Sequence, residues 1–139
     1  MIHRPMIILV AAMAGVAGCG GNEGPPRHRF SGTVSVEGQA VPFGEIIISP
    51  DASRKNSGPQ GRAPVRDGKF DTSQSGGMGV GGGAVIIRVN GLSGPGGKTV
   101  CEHEFPAELP HSDEKRDITI RKSDANNANK NPNKSAPEI

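Results

Sequence analysis

The 139-residue chain has no Trp and no Tyr, and its only aromatic residues are four Phe. Proteins that read bases or sugars by stacking need flat π faces, so this scarcity argues against a nucleic-acid or carbohydrate platform. Charge of one sign is lacking too. Sixteen Lys and Arg stand against 14 Asp and Glu, which leaves +2 and no electrostatic footprint for an acidic partner. No apolar run reaches the ~20 residues needed to cross a hydrocarbon core. No segment shows sustained helical periodicity, and 21 Gly with 12 Pro argue for short strands joined by turns.

The longest apolar run, Met6 to Gly18, follows a short basic segment carrying Arg4 and has the length of a signal-peptide h-region. It ends in Val16-Ala17-Gly18-Cys19, which resembles the lipobox of bacterial lipoproteins: an aliphatic residue, two small residues, then cysteine. The small side chains fit a peptidase beside the cut, and the Cys19 thiol would accept a diacylglycerol. The resemblance implies removal of residues 1–18 and a membrane anchor of two or three acyl chains, each buried methylene contributing ~0.8 kcal/mol. With Cys19 acylated, Cys101 is the one thiol left and no intramolecular disulfide can form. A mature chain of about 120 residues has room for one small domain plus tails.

Residues 19–29 read as a Gly/Pro-rich tether. Phe30-Ser-Gly-Thr-Val-Ser-Val-Glu37 alternates with period two, and Glu37-Gly38-Gln39 reads as a turn. A second strand is expected over Glu45–Ser49, stopped by Pro50, followed by a surface loop from Asp51 to Pro64. Asp67-Gly68 between two short extended runs predicts a type I′ hairpin. Gly76 to Gly83 reads as a flexible glycine stretch, and Ala84–Val89 as a strand closed by Asn90-Gly91. Thr99–Phe105 is expected as a strand interrupted by Pro106 and Pro110, and Asp117–Arg121 as the last strand. Residues 123–139 lack a packable face and are expected to be a disordered tail. The fold class predicted is all-β: one antiparallel β-sandwich over residues 30–122, built of six or seven short strands.

Phe30-Ser-Gly-Thr-Val-Ser-Val-Glu-Gly-Gln-Ala-Val-Pro-Phe-Gly-Glu-Ile-Ile-Ile-Ser-Pro50 resembles the opening hairpin of carboxypeptidase regulatory-like, transthyretin-like domains. Asp67-Gly68-Lys69-Phe70 and the glycine turn before Ala84–Val89 fit the same pattern, where Val85 stands in place of the family's usual Tyr. A lipobox followed by one such domain is similar to small lipoproteins of planctomycete-like bacteria. The resemblance implies an immunoglobulin-like sandwich and is almost silent on function.

Motifs that could carry chemistry are few. Gly77-Met-Gly-Val-Gly-Gly82 has dinucleotide-fingerprint spacing, but a β-rich run follows it where a helix N-terminus is required. Gly91 to Lys98 fails the Walker spacing because Leu92 stands where a glycine is needed. No nucleophile elbow is present. The hydroxyisourate hydrolases of the transthyretin-like fold end in a Tyr-containing motif that this chain lacks, so no enzyme is expected. Cys101, Glu102, His103, Glu104 and His111 form the one dense set of metal-ligating types. Strand parity groups Cys101, His103 and Phe105 on an inward face, so a core row is expected and no cofactor. Should a zinc or copper site exist, Cys101, His103 and His111 would build it. Arg27, Arg29, Arg54, Lys55 and Arg62 are expected to be solvated charges of tether and loop.

These readings converge on a lipid-anchored, extracytoplasmic protein of the cell envelope, acting as a non-catalytic binding or scaffolding module. Its expected partners are the membrane, through acylated Cys19, and an envelope protein or wall polymer; nucleic acid is not among them. Gly20 rather than Asp after Cys19 favours an outer-membrane address in a two-membrane cell.

Overall fold

A computed structural model describes residues 24–125. The expected signal peptide (residues 1–18), the lipidation site Cys19 and most of the expected tail lie outside the described residues. Within them the chain is all-β. Its strands are β1 (Phe30–Val36), β2 (Gln39–Ala40), β3 (Phe43–Pro50), β4 (Gly61–Arg66), β5 (Lys69–Asp71), β6 (Gly83–Leu92), β7 (Thr99–Leu109) and β8 (Glu114–Ile120). The one helical element is a single 3-10 turn at Ala52–Arg54, so no described helix is long and apolar enough to cross a membrane.

All eight strands belong to one curled sheet, a half-barrel. β8 covers one side of β1 along its whole length. β5 and β2 therefore share the other side, β5 against Ser31–Thr33 and β2 against Ser35–Val36. From β5 the ladder continues through β4, β3 and β6 to β7. Every pair is antiparallel except β1 with β8, which is parallel. That exception departs from the expected all-antiparallel arrangement. It sets Ile118 beside Val34 and Ile120 beside Val36, so two isoleucines join the core in register.

The core follows from the alternation. Phe30, Val34, Ile46, Ile48, Ala63, Val65, Phe70, Val85, Ile87, Val89, Ile118 and Ile120 form one buried cluster. Phe30 and Phe70 meet at 5.1 Å between ring centres, tilted by 54°. Two tight turns set the registers. Glu37-Gly38 (φ 51° and 79°) joins β1 to β2, and Asp67-Gly68 (φ 50° and 73°) joins β4 to β5. Positive φ at both central positions is the type I′ signature read from Asp-Gly in the sequence.

Several expected boundaries differ: β3 begins at Phe43, the last four residues of the loop expected from Asp51 to Pro64 belong to β4, and the last strand begins at Glu114 rather than Asp117. β6 runs through Asn90-Gly91 to Leu92, and the turn comes later, at Ser93 to Lys98. Gly91 is a close-approach glycine rather than a turn residue, since a Cβ there would lie 2.6 Å from the Cys101 sulfur and 2.9 Å from Val41 Cγ1. β7 runs through Pro106 to Leu109, because Pro106 sits on a strand paired only with β6 and its missing N–H breaks no ladder bond. The glycine stretch is stapled on both sides: Met78 exchanges main-chain hydrogen bonds with Arg62, Val80 does so with His28, and Val80 is buried.

Parts of the expected tether and tail join the domain. Arg27 donates to the carbonyls of Gly79 (2.7 Å) and Gln60 (3.2 Å). Arg29 grips Asp71 through Nε and Nη2, while its main-chain N–H donates to Asp113 Oδ1. At the other end Ala125 is buried against the core, and its carbonyl accepts from the Glu102 N–H.

Candidate functional site

A feature of this sheet that can engage another molecule is the seam where it stops between β7 and β8. Among the described residues β7 pairs only with β6 and β8 only with β1, and no main-chain hydrogen bond joins β7 to β8. Parity decides which groups face the gap. The Glu102 N–H points away from β6 toward Ala125, so Glu102, Glu104, Pro106 and Glu108 turn their main-chain groups outward. On β8 the Glu114 N–H and Ile120 carbonyl bond toward β1 and its continuation. Lys115, Asp117 and Thr119 therefore direct N–H and C=O into the seam.

Both ends of the seam are bridged. At one end Arg116 Nη2 donates to the Glu108 carbonyl at 3.1 Å. At the other the turn after β8 returns to β7, where the His103 imidazole approaches the Asp124 carbonyl at 2.8 Å through Nδ1. A carbonyl can only accept, so Nδ1 is the donor in this contact. Between the bridges lies a hollow of about 230 Å³ lined by His103, Phe105, Arg116, Asp117, Ile118 and Thr119. The His103 and Phe105 rings stack at 5.3 Å, which gives the hollow one planar wall.

The two edges differ in how they receive a strand. β7 presents Pro106, which offers no donor, and Glu104, already paired with Arg88. Proline removes a ladder donor and so discourages pairing along β7, whereas β8 contains none. β8 presents Lys115, Asp117 and Thr119 with an unbroken donor–acceptor pattern. The receptive edge is β8.

The residues singled out as metal ligands do not come together. Cys101 is fully buried opposite Gly91, and burial pushes its thiol above the ordinary cysteine range, which keeps it protonated. His103 lies two residues on, in the seam. His111 lies beyond the far end of β7: Leu109 pairs with Gly83, and His111 packs over Gly82 beside Pro25, Pro26 and Asn56. Six residues of extended strand separate positions 103 and 109, about 20 Å. Among the described residues no three His, Cys, Asp or Glu side chains are grouped to hold a metal. The Cys101, His103, His111 set is therefore corrected: the shared parity of Cys101 and His103 reflects the core face, and strand rise removes His111.

Of the cations expected to be solvated, Arg29 is engaged with a buried carboxylate. Asp71 is 8% exposed and accepts from the Arg29 guanidinium and from the Ser73 hydroxyl and N–H. These donors, Arg29 first, hold its carboxyl well below the usual range, and Asp71 in turn raises Arg29. Sequence reasoning missed this pair and the β8 side of the seam. Asp-Ile-Thr-Ile showed a strand, but only its parallel pairing with β1 decides which edge stays open. No family model, curated protein or solved structure matches the chain.

Proposed function

We propose that the protein is an extracytoplasmic lipoprotein of the cell envelope, anchored through acylated Cys19. Its curled sheet serves as a transthyretin-like β-sandwich that acts as a non-catalytic binding or scaffolding module. The single observation that carries the binding role is the open β8 edge, with Lys115, Asp117 and Thr119 facing a seam bridged only at its ends. An extended segment of an envelope protein laid along that edge would pair with these main-chain groups and place one side chain in the hollow against His103 and Phe105.

Two further observations support the reading. The buried carboxylates are engaged in structural bonds, Asp71 with Arg29 and Ser73, and Asp51 with the Ser53 N–H and hydroxyl. The anchor is supported by the Val16-Ala17-Gly18-Cys19 pattern and by its distance from the fold. Cys19 precedes Arg27, the first of the described residues bonded to the domain, by eight positions, a reach of at most about 29 Å. A domain on so short a lead works close to its membrane.

The test is site-specific photo-crosslinking in cells. A benzophenone side chain replaces Thr119, exposed on β8, or Gln60, exposed just before β4, a strand that does not pair with β8. A discrete adduct from position 119 and none from position 60 is expected. Equal adducts from both positions, or none from either, would remove the edge-binding role.

A further inference from the structure

We propose that the outer face of the sheet over β4, β5, β1 and β8 carries a second site, which binds phosphate-bearing anions through Arg66, Lys69 and Lys115. This site shares Lys115 with the seam, using its side chain rather than its main chain, and stands whether or not the edge-binding reading holds. The overall charge of the chain gives no hint of it.

The placement comes from the registers. Lys69 stands directly opposite Arg66 on one side and Thr33 on the other, and Lys115 stands beside Ser31. Like charges directly opposite each other on one sheet face repel, and the usual remedy is an intervening carboxylate. Elsewhere in this protein single cations meet carboxylates: Arg29 meets Asp71, Arg54 meets Glu108, Arg88 meets Glu104 and Arg116 meets Glu114. Among the described residues Arg66, Lys69 and Lys115 have no ion-pair partner, and all three line one hollow of about 440 Å³. Its remaining walls are Thr33, Gln74, Pro64 and the strand residues Gly32, Phe70 and Asp71.

Two carboxylates stand near, and neither forms an ion pair with any of the three cations. Asp71 is occupied by Arg29 and Ser73, and Asp117 accepts the Thr33 hydroxyl at 2.8 Å. The Arg66 guanidinium carbon lies over the Phe43 ring, 5.6 Å from its centre, a cation–π contact that leaves its N–H edges for a ligand. A forked guanidinium with two ammonium groups suits the several oxygens of a phosphate better than a single carboxylate. The volume also leaves room for the glycerol or sugar that a phosphodiester carries. Lys115 stands beside Ser31, two positions after Arg29, whose own charge is taken by Asp71.

The experiment uses the full chain carrying Cys19→Ser, so that no acyl group contributes to binding. Inorganic phosphate is titrated while amide resonances are followed by NMR. Shifts concentrated at Thr33, Arg66, Lys69, Gln74 and Lys115 are expected. The Lys69→Gln/Lys115→Gln double variant should bind about tenfold more weakly, while Lys98→Gln/Lys122→Gln, an equal change of charge elsewhere on the surface, should change affinity less than about twofold. Co-sedimentation with phosphatidylglycerol-containing vesicles would identify a lipid headgroup as the source of the phosphate. Binding to soluble poly(glycerol phosphate) without co-sedimentation would identify a wall polymer. Shifts spread evenly over the surface, or equal weakening in both double variants, would overturn the site.

Discussion

Replacing Gly91 by Ala tests the packing between β6 and β7 at its tightest point. The added methyl would stand 2.6 Å from Cys101 Sγ, 2.9 Å from Val41 Cγ1 and 3.2 Å from Val100 Cγ2, against an ordinary contact of about 3.5–4.0 Å. Cys101 and Val41 are fully buried and cannot swing away. Overpacking of this kind costs about 1–3 kcal/mol, which lowers Tm by on the order of 10 °C in a domain of this size. The cause can be isolated with Cys101→Ala, which deletes the nearest atom. Alone it leaves a small cavity; combined with Gly91→Ala it lets the new methyl occupy that space. The double variant should therefore be more stable than the sum of the single changes by about 0.5–2 kcal/mol, with Val41 preventing full recovery. Urea unfolding of the four proteins at one temperature gives the cycle. A neutral Gly91→Ala, or additive changes, would mean that Asn90-Gly91 is an open turn and that β6 ends at Val89.

Two other predictions concern titratable groups. Cys101 is buried and its thiol is pushed up, so iodoacetamide at pH 8 should leave it unmodified in the folded protein and alkylate it fully in urea; rapid native labelling would contradict its placement. Asp71 has a depressed folded pKa, so its bonds to Arg29 and Ser73 contribute stability above the unfolded value of about 3.9 and lose it as pH falls below about 4. Asp71→Asn should cost about 1.5–3 kcal/mol at pH 7 and flatten the acid limb of the stability profile; a curve parallel to the unsubstituted protein's would refute the ion pair.

Strand identity was legible because alternation and turn chemistry are local. Phe30-Ser-Gly-Thr-Val-Ser-Val announces one buried parity, and Asp67-Gly68 requires the turn that it makes. What stayed hidden depends on partners far along the chain. Asn90-Gly91 carries a turn composition, yet the Cys101 side chain opposite Gly91 needs a glycine in a continuous strand. Pro106 reads as a strand end, yet an edge strand tolerates it. Arg29 and Arg27 look like loose tether charges until Asp71, 42 positions later, and the Gly79 carbonyl fix them. The row Cys101, His103, Phe105 was legible as a core face, whereas the distance to His111 is a consequence of β7 running straight through its proline. The cluster of Arg66, Lys69 and Lys115 needed the register of three strands before it could be seen at all.

The central claim is that the domain works from a membrane to which Cys19 ties it. The most direct measurement is the intact mass of the protein recovered from the membrane fraction of expressing cells. The account predicts a chain that begins at residue 19 and carries the added mass of two or three acyl chains on Cys19, and a Cys19→Ser protein that keeps residues 1–18 and gains no acyl mass. An unmodified chain of either length, recovered in the soluble fraction with Cys19 intact, would contradict it.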